Sequence, residues 1–141
     1  MARILVIEDD EGVRSTMREL LQRAGHAVID AANGRDGAAI FKDNVVDLVI
    51  TDMIMPEQEG VETIQQILAD RPATRIIAMS GGGRAKYFGF LGVAKALGAL
   101  HTLTKPFTRQ QLLETVEQCL KEPPPDEGGE DEGEEENGRQ P

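Results

Sequence analysis

Five short apolar runs, each followed by a segment of helical periodicity, restrict the fold of this 141-residue chain more than any other feature. The runs occupy residues 3–8, 27–31, 47–52, 75–80 and 100–105. ILVI at 4–7, LVI at 48–50 and IIAM at 76–79 are continuous rather than alternating, the pattern of strands covered on both faces. Between the runs, Val13, Met17, Leu20 and Leu21 recur at helical spacing and stop at Gly25, and Val61, Ile64, Ile67 and Leu68 do the same before Pro72. Thr108 with Gln111 forms a capping-box signature ahead of Leu112, Leu113, Val116 and Leu120, all on one face. Residues 36–44 and 88–97 complete the set, the second ended by Gly98 and holding Gly89 and Gly92, which allow it to be irregular.

Strands and helices that alternate across short connections predict an α/β fold. The expected architecture is doubly wound, (βα)5 and flavodoxin-like, with a five-stranded parallel sheet of order 2-1-3-4-5 and helices on both faces. Ligands in such sheets bind beyond the carboxyl ends of the strands, where the strand order reverses. The residues at those ends are Glu8, Asp9 and Asp10, then Asp52, Ser80 and Lys105.

Strands 1 and 3 are neighbours in this order, so Glu8, Asp9 and Asp52 converge. Three carboxylates this close repel one another, and a bound divalent cation offsets that repulsion. An all-oxygen site without His or Cys ligands suits Mg²⁺ rather than zinc. Lys105 adds a positive charge from the far side and Ser80 a hydroxyl. The set is a poor acid–base pair and a good cradle for a phosphoryl group, with Asp52 as candidate nucleophile. Asp10 is read as the cap of the first helix.

Charge and composition narrow the function classes. The net charge is −10, but residues 122–141 hold nine acidic residues against Arg139, so −8 lies there and only −2 on the first 121 residues. That leaves no basic stripe for nucleic acid. From Pro123 on there is no apolar residue beyond proline and glycine, and this acidic segment is expected to be disordered. No run is long enough for membrane insertion, and the start does not resemble a signal peptide, so a cytoplasmic location is expected. Cys119 is the single cysteine and reads as a small buried hydrophobe; His26 and His101 have no partner ligands in sequence and read as packing or surface residues. The Gly81–Gly83 run lacks the spacing of a nucleotide-binding loop.

Four stretches, ILVIEDDEGVR at 4–14, DLVITDMIMPEQEG at 47–60, IIAMSGGG at 76–83 and LGALHTLTKPF at 97–107, together resemble the receiver domain of bacterial two-component response regulators. The resemblance covers residues 3–121. It implies that Asp52 accepts a phosphoryl group from a phosphohistidine on a sensor histidine kinase or a histidine phosphotransfer protein. It further implies Mg²⁺ held by Asp9, Asp52 and the backbone carbonyl of Ile54, with Glu8 acting through water. Lys105 would contact the phosphoryl oxygens, Ser80 would close onto them, and the Lys105–Pro106 bond would be cis.

Departures from the family pattern bear on the output. Thr102 stands where many members carry an aromatic switch residue, with Tyr87 and Phe88 as possible substitutes. The interval from Ser80 to Lys105 is long and starts with a flexible glycine run. Ile54 and Gly82 offer no side chain to orient water, which predicts a long-lived phosphorylated state. The leading expectation is a stand-alone phosphorylation switch that signals through a protein contact, with no effector domain after the fifth helix. A phosphatase would want a second Asp where Ile54 stands, and a non-phosphorylated scaffold would not need the intact set of Glu8, Asp9, Asp52, Ser80 and Lys105.

Overall fold

The computed structural model describes residues 1–53, 59–81 and 94–125. Five strands, β1 (Arg3–Ile7), β2 (Ala27–Ala31), β3 (Leu48–Asp52), β4 (Ile76–Gly81) and β5 (His101–Lys105), form one parallel sheet of order β2-β1-β3-β4-β5. Each lies within one residue of the run that predicts it. The described helices of full length are α1 (Glu11–Arg23), α2 (Gly34–Asp43), α3 (Glu59–Asp70) and α4 (Arg109–Lys121). Of the helix expected at 88–97, residues 94–97 are helical and end at Gly98, whose φ of 123° is one that side-chain-bearing residues rarely adopt; residues 82–93, with Tyr87 and Phe88, lie outside the described residues.

Polar caps set the helix starts. The Asp10 side chain accepts from the Val13 amide and Asn33 from that of Asp36, so α2 begins at Gly34, two residues before its apolar pattern suggests. Thr108 and Gln111 complete both halves of the capping box that the sequence signals for α4.

Strand alternation divides the core in two. Ile4, Val6, Leu48, Ile50, Met79 and Leu103 pack with Met17 and Leu21 of α1 and Leu112 and Val116 of α4. Leu5, Ile7, Val49, Ile76 and Ala78 pack with Phe41 of α2 and Ile64 and Ile67 of α3. Full burial of each such side chain contributes roughly 1.5–3 kcal/mol. A Cβ on Gly37 would run into the side chain of Ile7, which is why α2 can lie directly on β1. Arg71, just past α3, donates to the carbonyls of Phe41 (2.7 Å) and Asn44 (3.0 Å) and stacks 4.1 Å from the Phe41 ring, tying the end of α2 to that of α3.

The histidines and the cysteine behave as packing residues. His26 is buried and its Nδ1 accepts from the Ala2 amide at 3.0 Å. His101 is half-buried, with Nε2 3.0 Å from Glu122 Oε2. Burial pushes the Cys119 thiol up to about 12, with the Glu122 charge adding to the effect, so it is no nucleophile at neutral pH. Arg75 Nε and Nη2 hold the Glu122 carbonyl at 3.0 and 2.9 Å, fixing the chain where α4 ends. Among the described residues no helix is long and apolar enough to cross a membrane. Residues 126–141 lie outside the described residues.

Candidate phosphoryl and metal site

Strand phase decides which side chains meet. Glu8, directly after β1, continues the phase of Ile4 and Val6; Asp52 that of Leu48 and Ile50; Lys105 that of Leu103, and all of these apolar residues belong to the core half covered by α1 and α4. Since β1 and β3 pair, Glu8 and Asp52 emerge side by side at the carboxyl edge of the sheet. Lys105 reaches them across β4, its Nζ donating to Glu8 Oε1 at 2.9 Å and to Asp52 Oδ2 at 3.0 Å. Asp9 is exposed, and one carboxylate oxygen from each of Glu8, Asp9 and Asp52 lies within 4.8 Å of the others.

The electrostatics follow from burial. Glu8 is fully buried and Asp52 is 2% exposed. Burial raises the Glu8 carboxyl above its ordinary value; the Asp10 amide, which donates to Oε2 at 3.0 Å, and Lys105 oppose this, and the Asp52 charge adds to it. For Lys105 burial alone would favour the neutral amine, but the hydrogen bond to Glu8, with the charge and hydrogen bond of Asp52, outweighs it and the ammonium is raised. Among the described residues, one lysine thus faces two buried carboxylates and a third at the rim, three negative charges against one positive. Three carboxylates within a few ångströms, without nitrogen or sulfur donors among them, match a hard divalent cation of the Mg²⁺ type.

The other sequence candidates are placed differently. Ser80 is buried in β4, one residue beyond the Met79 that pairs with Asp52, and strand alternation puts it in phase with Ile76 and Ala78 rather than Met79. Thr102 is half-buried and pairs with Ala78, two residues before Ser80, so it lies outside the carboxylate cluster. Ile54, expected to offer its carbonyl to the cation, lies outside the described residues. The Lys105–Pro106 bond is cis, as expected from the resemblance.

Two contributors escaped the sequence reading. Gly60, in the first turn of α3, lies against the backbone that follows the acidic strand end: a Cβ there would sit 2.6 Å from Met53 Cα and 2.7 Å from the Asp52 carbonyl oxygen. Gly60 stands just ahead of the helical pattern that begins at Val61, so the periodicity carried no signal of this contact. Gly60→Ala is expected to push α3 off β3, lowering stability by about 1–2 kcal/mol despite the better helix propensity of alanine, as read by urea denaturation. The second contributor is Arg14, whose Nη1 donates to the Glu8 carbonyl at 2.8 Å.

The family model for the response regulator receiver domain matches residues 4–117. Over 121 residues the chain is 36% identical to the DNA-binding transcriptional regulator NtrC of Azospirillum brasilense, an alignment that covers 84% of this chain but only 24% of that protein. Over 124 residues it is 31% identical to the protein PilH of Pseudomonas aeruginosa, covering 85% of this chain and 98% of PilH. A crystal structure of a response regulator receiver domain protein from Clostridium thermocellum superposes with a TM-score of 0.78 at 31% identity, over 85% of this chain and 94% of that one. The chain therefore belongs to the response regulator receiver domain family, the phosphorylation-dependent switches of two-component signalling.

Proposed function

We propose that Asp52 is the phosphoacceptor of this switch, taking its phosphoryl group from a phosphohistidine on a sensor histidine kinase or a histidine phosphotransfer protein. The observation that carries the reading is the junction of Glu8, Asp9, Asp52 and Lys105 at one sheet edge, three carboxylates within 4.8 Å and one ammonium bonded to two of them. An Asp52 carboxylate oxygen attacks phosphorus, the bond from phosphorus to the imidazole nitrogen breaks, and the imidazole keeps the electron pair. Mg²⁺, when bound, supplies the positive charge that lets an anionic oxygen approach an anionic phosphoryl group. Asp9, Asp52 and the Ile54 carbonyl would hold it, with Glu8 acting through water.

Lys105 neutralises charge on the phosphoryl oxygens and gives up part of its bond to Asp52 to do so. Ser80 donates its hydroxyl to the same oxygens once the end of β4 turns toward the site. Output is a changed protein contact, carried past Thr102 without an aromatic switch ring. The folded unit of this reading is residues 1–121, with 122–141 an acidic appendage, in a cytoplasmic protein that does not itself bind nucleic acid.

The test is intact-mass analysis after incubation with acetyl phosphate, with Mg²⁺ or with EDTA. A single phosphoryl adduct that forms with Mg²⁺ and not with EDTA is expected. No adduct under either condition, with the protein folded, overturns the proposal.

A further inference from the structure

Asp9 is the exposed member of the carboxylate trio, so packing does not fix its direction. The peptide that carries it is held instead. Just before it, the peptide between Ile7 and Glu8 is pinned to β2, its Glu8 amide donating to the Ala31 carbonyl at 3.1 Å. On the α1 side the Glu8 carbonyl accepts from Arg14 Nη1 at 2.8 Å. That carbonyl belongs to the peptide bond between Glu8 and Asp9, so the bond sets the tilt of the plane from which Asp9 projects.

Arg14 is itself restrained. Its Nε lies 3.5 Å from Asp30 Oδ2 in β2, while the other oxygen of Asp30 accepts from Arg18 Nη1 at 2.9 Å. Arg18, Asp30, Arg14 and the Glu8 carbonyl thus form a relay from α1 through β2 to the acidic loop. The Arg14 side chain is 19% exposed and that of Asp30 26%, so this inner pair is partly shielded from water, unlike a free surface pair, while Arg18 at 43% forms the exposed end of the relay. None of its side chains reaches the carboxylate cluster; it acts on the backbone that presents two of the three carboxylates.

We infer that Arg14, held by Asp30, is a positioning residue that orients the Glu8–Asp9 peptide for divalent-cation binding. The inference rests on reading the trio as the cation site. Supports that orient ligands without touching the metal commonly change affinity by tenfold or more when removed.

The test is titration with Mn²⁺, followed by the electron paramagnetic resonance signal of the free ion, on wild type, Arg14→Ala, Arg14→Lys and Asp30→Asn, with metal-free thermal melting alongside. Arg14→Ala is expected to weaken Mn²⁺ binding about tenfold. Arg14→Lys, which keeps a donor for the Glu8 carbonyl, should recover part of that loss, and Asp30→Asn should fall between wild type and Arg14→Ala. The Mg²⁺ concentration that half-saturates phosphorylation by acetyl phosphate should rise in parallel, with the rate at saturating Mg²⁺ within about twofold of wild type.

A folded Arg14→Ala protein with wild-type Mn²⁺ affinity, whatever its melting temperature, overturns the inference. If Arg14→Ala does not fold, wild-type affinity in both Arg14→Lys and Asp30→Asn overturns it instead. Failure of the wild type itself to bind Mn²⁺ would remove the cation site and the inference with it, a result separable from the first two.

Discussion

Asparagine at position 52 is expected to abolish the phosphoryl adduct while leaving the protein folded and at least as stable without metal. Asn matches Asp in size and can still accept from Lys105, so the packing of a residue 2% exposed at the end of β3 is preserved. The amide is not a nucleophile toward phosphorus, and among the described residues no other carboxylate of the cluster substitutes well. Glu8 is buried and committed to Lys105 and the Asp10 amide, and Asp9 stands at the rim. The adduct should therefore fall at least 100-fold, a loss of about 3 kcal/mol or more in transition-state stabilisation. Without metal, the substitution removes one of the two buried negative charges that both bond Lys105 and repel each other, so the melting temperature should hold or rise. Intact mass and thermal melting on the same sample check both halves. An adduct equal to wild type on Asp52→Asn would reassign the phosphoacceptor, and a marked loss of stability would contradict the charge imbalance described here.

The fold was legible in the sequence because its signals are local and repeated. Strands buried on both faces need continuous apolar runs, and each run lies within one residue of a strand; the Thr108–Gln111 box and the Asp10 cap were equally readable because a cap acts over three residues. The convergence of Glu8, Asp52 and Lys105 was legible through strand order. What escaped notice depends on contacts between one element and the next, which neither strand nor helix periodicity encodes. Arg14 gains its meaning from a carbonyl six residues back and a carboxylate on β2, and Gly60 from the backbone at Met53, just past the end of β3. Ser80 was readable as a strand-end hydroxyl in phase with Ile76 and Ala78, but that this phase meets the core half opposite the carboxylates follows only from the observed packing.

Replacing Lys105 by Met is the substitution expected to change stability most. Met keeps the length and apolar stem but leaves Glu8 and Asp52, both buried, facing each other without their shared cation. Removing one partner of a buried ion pair costs about 3–5 kcal/mol; Lys105 is 20% exposed and water can partly replace it, so a loss of about 2–4 kcal/mol at neutral pH is expected. In wild type the Glu8 carboxyl is already raised, so across the window above its unfolded value the folded state binds more protons than the unfolded state, and stability falls as pH rises. Without Lys105 that rise is larger. The deficit of Lys105→Met should therefore be full at neutral pH and shrink as pH falls and Glu8 takes up its proton. The contribution of Lys105 itself in wild type, whose ammonium is raised, is complete at neutral pH and is lost only in the alkaline range. Two additions should each restore part of the loss: saturating Mg²⁺, by about 2.7 kcal/mol at a hundredfold excess over its dissociation constant, and Glu8→Gln in the same chain, which removes one of the opposed charges. Urea denaturation across pH 4–8, with and without Mg²⁺, measures the deficit, its pH dependence and both restorations, and a series extended into the alkaline range measures the Lys105 contribution. A deficit under 0.5 kcal/mol, or one that does not vary with pH, would mean that the two carboxylates are not held against each other by this lysine.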